Sequence, residues 1–371
     1  MRIAYVSNLP SDLASGGFSG MNVAMLGALQ RRAEVAYVGP INPPASRWAQ
    51  VCSKIFRTLG LSGRFFFFSE PRLRFIAEQV VDEVVERDAE LIFFHGFTPW
   101  VSWTGPVRYA AWSDCTFRDY IDVYHQRTQF DAADLKRIEE MEAVWLRRAE
   151  KVLFTSRWAA DRAICAYRLD PAKVEVVGIF GAVEPPTNDC YSGASEFAFV
   201  STNFTAKGGL VVAEAFEQVR KIHPTARLTV VGDAPSAAVQ SQPGVSYAGF
   251  LRKEVPRELE QFCAILGRVR AIVHPTRADI SPLLFIEAAY FGCPVIASRR
   301  YAIPEMVVEG ENGLLLDDPD SVAAVAGAMQ RLMEMEGVYL AMRRAAWKYS
   351  REHFSRERFQ ERVRKALSLA A

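Results

Sequence analysis

The chain has 371 residues, with 44 lysines and arginines against 43 aspartates and glutamates, a formal net charge of +1. Length of this order suits about two domains with sizeable cores, and the balanced charge argues against nucleic-acid binding through a strong overall field, leaving only a local patch. The six cysteines, Cys52, Cys115, Cys165, Cys190, Cys263 and Cys293, are dispersed without a CxxC or Cys/His cluster, so neither zinc nor a redox pair is expected and a reduced, cytoplasmic compartment fits.

In chain order, MRIAYVSNLPSD reads as a strand and a polar loop rather than a signal peptide. Short apolar runs then alternate with helical patterns, which indicates parallel α/β architecture. Expected strands in the first half are Ile3–Val6, Val35–Val38, Leu91–Phe94, Val107–Ala111 and Val152–Thr155. Expected helices are Gly20–Arg32, Pro71–Arg87, Asp131–Ala149 and Ala159–Arg168. The Phe65–Phe68 run reads as a buried strand, too short to cross a membrane. Residues 181–196, GAVEPPTNDCYSGASE, read as an interdomain linker because they are rich in proline, glycine and small polar residues. The pattern restarts with strand Phe197–Val200, helix Leu210–Ile222 and strands Arg227–Val231, Val245–Ala248 and Ala271–His274. The tail from Arg351 is helical. The division expected is therefore 1–183, a linker at 184–196, and 197–350, followed by the helical tail 351–371.

Several segments carry chemistry. Gly16 and Gly17 lie between the first strand and helix, where glycine lets backbone N–H groups approach a ligand and a helix start favours phosphate; a plain glycine turn explains them equally well. Lys207 precedes a helix, so its ammonium and the helix N-terminus can act on one diphosphate. In 271–298, a strand leads to Asp279, a helix follows with Glu287, and Gly292 stops it before strand Val295–Ser298. Ser281 is the expected N-cap, with Pro282 in the first turn. Two acids at the carboxyl end of a strand suit a ligand rich in hydroxyls. His95 and Asp114 end two strands of the first half, where both could face a ligand. The remaining histidines show no metal-ligand spacing, and the GxGxxG dinucleotide fingerprint is absent.

The acid-x7-acid pair, with Glu287-Ala288, Gly292 and Pro294-Val295-Ile296-Ala297, resembles the signature of retaining GT-B glycosyltransferases of family four, the glycosyl transferases group 1. STNFTAKGG, Val231-Gly232-Asp233 and Gly249-Phe250 are similar to other segments of that family, and Ile303-Pro304-Glu305 with Asn312-Gly313 matches a further one. The resemblance implies two Rossmann-like domains facing a cleft and transfer of a sugar from a nucleoside diphosphate to a hydroxyl, with no enzymic nucleophile, cofactor or metal. It implies a donor site of Gly17, Thr202, Asn203, Lys207, Gly232, Phe250, Asp279, Ile280, Ser281, Leu283 and Glu287. In it Lys207 stabilises the leaving diphosphate, Asp279 reads sugar hydroxyls and Glu287 holds the ribose. It implies an acceptor site of Gly16, Gly17, His95 and Asp114, with Asp114 acting on the acceptor hydroxyl.

This chain departs from the family at Asp279, Ser281-Pro282, Ser113 and Thr202, which stands where an arginine is usual. Arg277 is the candidate replacement cation. The acceptor class implied is a saccharide or lipid-linked glycan of a bacterial envelope or polysaccharide pathway. The apolar-basic stretch 48–64 suits weak peripheral contact at the inner face of a membrane, or is a partly buried helix. Two other classes stay open: a catalytically weak nucleotide-sugar-binding protein of the same fold, and a nucleotide-sugar epimerase.

Overall fold

The computed structural model describes residues 1–12, 18–31, 33–45, 48, 51, 55, 56, 58, 62–85 and 87–369. Gly16 and Gly17, and most of 48–64, lie outside the described residues. The described residues form two compact units, one from 1–12, 18–178 and 359–369, the other from 179–358.

The first unit is a six-stranded parallel sheet of β1 (Arg2–Val6), β2 (Glu34–Val38), β3 (Leu91–His95), β4 (Tyr109–Ser113), β5 (Lys151–Phe154) and β6 (Val174–Val176), in the order β2-β1-β3-β4-β5-β6. The strand order reverses between β1 and β3, the switch point at which open α/β sheets bind ligands. β3 and β4 are buried along their whole length, as expected of central parallel strands with both faces covered. β4 begins two residues later than the sequence pattern suggests. Helices Phe117–Tyr124, Ala132–Arg148 and Arg157–Tyr167 start at Thr116, Asp131 and Ser156, each of which accepts a backbone N–H. The Phe65–Phe68 run is not a strand. Phe66–Phe68 is a single 3-10 turn: four consecutive aromatics offer no alternation, and the turn lets Phe65 and Phe68 stack on each other and both pack edge-on against Phe117. The turn is fastened to the Ala132–Arg148 helix: Phe65 N donates to Asp134 at 2.8 Å, and Arg137 donates to Phe68 O at 2.8 Å.

The second unit is also a six-stranded parallel sheet: β7 (Glu196–Ser201), β8 (Arg227–Gly232), β9 (Val245–Tyr247), β10 (Ala271–His274), β11 (Val295–Ser298) and β12 (Gly313–Leu316). Their order is β12-β11-β10-β7-β8-β9, so the switch point lies between β7 and β10. Phe197, Phe199, Leu228, Val230, Val273 and Ile296 fill one face of this sheet against helices Gly209–Ile222 and Val322–Glu334.

The expected linker is packed onto the second unit rather than free. Asp189 accepts from Arg343 at 2.5 Å, Tyr191 stands edge-on to Tyr339 at 5.3 Å, and Pro186 O accepts from Arg351 at 2.8 Å. The two boundaries therefore fall at 178/179 and 358/359 instead of 183 and 351. Near both, Tyr290 makes the contact: its hydroxyl accepts from Gly181 N at 3.0 Å and donates to Phe354 O at 2.5 Å.

Candidate functional site

The residues after β7 fold into consecutive turns because their backbone groups find local side-chain partners. Asn203 Oδ1 accepts from Ala206 N at 3.0 Å, and Asp233 accepts from Phe204 N at 3.0 Å. Gly208 then turns the chain into helix Gly209–Ile222 at a φ of +90°; a Cβ there would sit 2.9 Å from Pro275 O. This delivers Lys207 to the loop after β10, where its ammonium donates to Ala278 O and to Asp279 Oδ2 at 2.8 Å. The two residues that sequence assigned separately, Lys207 and Asp279, are thus an ion pair spanning the β7/β10 switch point. His274 Nε2 lies 3.9 Å from the same carboxylate. Burial opposes ionisation of Asp279, but the His274 ring and the Lys207 charge outweigh it and hold the carboxyl below its ordinary range.

Glu287 lies on helix Leu283–Tyr290, which starts at Pro282 rather than Ser281; the helix has no side-chain cap. Its carboxylate is only 1% exposed. Lys253 donates to both oxygens at 2.5 and 2.6 Å, and Ala182 N donates at 3.0 Å. The open ribose acceptor expected from sequence is therefore a covered carboxylate with a lysine across it. Lys253 escaped the sequence reading because its partner is 34 residues away; a cation four residues after Gly249 was the only local signal. Phe250 is 56% exposed, as a base-stacking residue would need. Gly232 ends β8 at a φ of +103°, and any Cβ would meet Ser201 O at 2.0 Å, so the β7 and β8 ends touch here because the residue is glycine.

Other expected donor residues fall differently. Ile280 and Leu283 are buried, so only their backbone can meet a ligand. Ser281 is half-buried, and Thr202 and Asn203 are exposed. Arg277 does not replace the missing arginine: it is paired with Asp320, and its carbonyl accepts from Tyr301.

In the first unit a cavity of about 370 Å³ opens at the carboxyl ends of β1 to β4. Phe65, Phe67, Phe68, Phe97, Phe117 and Tyr120 supply its aromatic walls, and Asn8, Asn42, Thr98, Ser113, Asp114, Cys115 and Thr116 its polar ones. Asp114 is therefore on a ligand-sized surface. His95 is not: it is fully buried with its ring 5.0 Å from Trp112 and 6.2 Å from Tyr5. Burial drops its pKa to about 3, so it is a neutral core residue, since a central strand between helix layers buries both faces. Behind the cavity, the buried Glu142 accepts from Thr98 Oγ1 at 2.6 Å, Phe117 N at 2.7 Å and Tyr167 OH at 2.9 Å. Burial raises it to about 7 despite these three donors. Burial also pushes the Cys115 thiol well up, with the neighbouring Asp114 charge adding to it. Among the described residues no group of three His, Cys, Asp or Glu side chains could hold a metal ion, and no helix is long and apolar enough to cross a membrane.

Residues 173–335, which contain Lys207, Lys253, Asp279 and Glu287, match the family of glycosyl transferases group 1. This match covers less than half of the chain. A curated relative, the D-inositol 3-phosphate glycosyltransferase of Corynebacterium kroppenstedtii, is 24% identical over 247 residues, which cover 58% of this chain and 54% of the relative. The chain thus spans about half the length of the curated relatives it matches. Two solved structures share the fold over nearly the whole chain. Sucrose-phosphate synthase from Thermosynechococcus elongatus superposes with a TM-score of 0.70 at 16% identity, covering 99% of this chain and 98% of that one. Anabaena HepE in complex with UDP gives 0.70 at 15% identity, covering 99% and 100%. The fold is GT-B.

Proposed function

We propose that this protein is a nucleotide-sugar-dependent glycosyltransferase that acts with retention, moving a hexose from a nucleoside diphosphate to a hydroxyl of a saccharide or lipid-linked glycan. One observation carries the reading: a lysine at a helix start is paired with an acid across the switch point of the second unit, inside the segment that matches the family. The ammonium and the first amides of helix Gly209–Ile222 would stabilise charge developing on the departing diphosphate. The nucleobase would lie by Phe250, with Gly232 keeping the strand end clear. Asp279, held ionised, would accept from sugar hydroxyls, and Glu287 would act on the ribose together with Lys253. The acceptor would occupy the first unit beside Asp114. UDP bound to HepE supports a uridine donor as the first to try. A bacterial envelope or polysaccharide pathway, with the protein in the cytoplasm and in weak contact with the membrane's inner face, is the setting this reading implies.

A thermal-shift panel of nucleotide sugars tests the donor site, because specific binding raises apparent stability by mass action. One member should shift the melting temperature, and Lys207→Ala should abolish most of that shift and lower transfer by about a hundredfold or more. An unchanged response in Lys207→Ala would refute the assignment. Anomeric configuration of the product by NMR decides retention. Conversion of the donor sugar without an acceptor would mark an epimerase; binding with neither transfer nor hydrolysis would mark a protein that only binds.

A further inference from the structure

His274 ends β10 one loop before Asp279, and the proposed function gives it no part. The side chain is 3% exposed. Its ring stacks on Phe199 of β7, with centroids 5.5 Å apart, and stands edge-on to Phe285 at 5.6 Å. Aromatic packing therefore fixes the ring plane. Among the described residues Nδ1 is buried and has no hydrogen-bond partner, whereas Nε2 faces Asp279 Oδ2 at 3.9 Å. A neutral imidazole carries one donor and one acceptor. With the proton on Nδ1, a buried N–H would be orphaned and a lone pair would point at a carboxylate. With the proton on Nε2, the orphan is an acceptor, the milder loss, and the donor points at the carboxylate. The surroundings thus select the Nε2–H tautomer.

The backbone between the two residues is held. Ser298 on β11 donates to Thr276 O at 2.7 Å, Thr276 Oγ1 accepts from Ala278 N at 3.3 Å, and Tyr301 donates to Arg277 O at 3.0 Å. Asp279 can thus approach His274 by rotating its own side chain, without movement of the loop. Its present partner is Lys207, which donates to the same oxygen, Oδ2, at 2.8 Å. In the reaction proposed above that ammonium is also required by the diphosphate. A diphosphate that draws Lys207 away leaves Asp279, among the described residues, with His274 Nε2 as the donor facing it. Burial works against the charge on Asp279, and His274 and then Lys207 work for it, so weakening one makes the other decisive.

We propose that His274 is a positioning residue: its Nε2–H takes over Asp279 Oδ2 as Lys207 turns to the diphosphate, and keeps the carboxylate aimed at the hydroxyls of the donor sugar. The proposal rests on the glycosyltransferase reading for the identity of the ligand; the coupling of His274 to Asp279 is separable from it.

NMR of the full chain with isotope-labelled histidine and aspartate tests it. In wild type Nε2 should carry a proton. His274→Phe keeps the stacked ring and removes both nitrogens, so its melting temperature should stay at or above the wild-type value. The Asp279 carboxyl should nonetheless titrate higher than in wild type, and more so with the donor's nucleoside diphosphate bound. Transfer by His274→Phe should lose about tenfold to a hundredfold in kcat while the thermal shift with the donor persists. His274→Gln, which restores a donor without the ring, should be less stable than His274→Phe yet more active; a purely structural role predicts the reverse order of activity. The proposal is overturned if the proton sits on Nδ1 alone, if Asp279 titrates in His274→Phe as it does in wild type, if His274→Phe transfers as fast as wild type, or if, with both variants folded, His274→Phe is the more active. Should no nucleotide sugar shift the wild-type melting temperature, the transferase reading falls, and the tautomer and the Asp279 titration still decide the role of His274. A normal donor shift with undiminished transfer in His274→Phe does the opposite.

Discussion

The two sheets share strand number and direction, yet their carboxyl edges are built from opposite materials. In the second unit the edge is ionic: Lys207 with Asp279, and Lys253 with Glu287. In the first it is aromatic, with Asp114 at one wall and the buried Glu142 behind it. Paired charges hold the Lys207 and Lys253 ammonium groups in fixed positions, as the proposed diphosphate site would need. Ring faces offer shape and C–H contacts in place of paired charges. One sheet architecture thus carries two differently built edges, decided by the loops that follow the strands.

The comparison can be broken most forcefully at Lys253. Replacing it by methionine leaves the 1% exposed Glu287 carboxylate with, among the described residues, the Ala182 N–H as its donor, and breaking a buried pair in this way costs about 3–5 kcal/mol. Chemical denaturation should show that loss, and the double variant Lys253→Met, Glu287→Gln should recover much of it. Equal stability of wild type and Lys253→Met would mean that the pair is not a structural element of the ionic edge.

The next largest effect concerns the first unit and pH. Glu142 has a folded pKa raised to about 7, above the ordinary 4.5. Its contribution to stability is therefore fully present below about pH 4.5 and is lost as pH rises through about 7, a change of about 3 kcal/mol. Urea midpoints between pH 5 and 8 should show wild type weakening relative to Glu142→Gln as pH rises. A difference that stays flat across that range would remove the carboxylate's role. Asp279 runs the other way: its lowered pKa gives stability that is present above the ordinary carboxylate range and is lost as pH falls through the folded value.

The smallest effect sharpens the contrast from the other side. Phe250 is the exposed ring of the ionic edge. Phe250→Ala should leave stability within about 0.5 kcal/mol and weaken nucleotide binding by roughly twofold to tenfold, as loss of one stacking contact would. Isothermal titration with the donor identified by thermal shift measures it; undiminished affinity would place the base elsewhere.

The difference between the units also governs what the sequence reveals. In the second unit the candidate residues Lys207, Asp279 and Glu287 are charged and stand at fixed offsets from strands, which is why sequence can nominate them. The first unit's cavity is assembled from Phe67, Tyr120, Thr98 and Asn42, which are far apart in the chain and match no motif. Hydrophobic runs located β1, β3, β5, β7, β8 and β10 well. They failed at Phe65–Phe68, where apolar character without alternation mimics a strand, and at His95, where strand position says nothing about which helix layer covers the ring. Lys253 shows the same limit for charge: a lysine in a loop looks solvated until the fold supplies its carboxylate.

Tyr290 links one of these edges to the rest of the chain. It sits three residues after Glu287 on the same short helix, and its hydroxyl touches Gly181 and Phe354, close to the two points at which the backbone passes out of the second unit. A tilt of that helix would have to carry both of these hydrogen bonds with it. One phenol is thereby hydrogen-bonded to the backbone near each of these two exits.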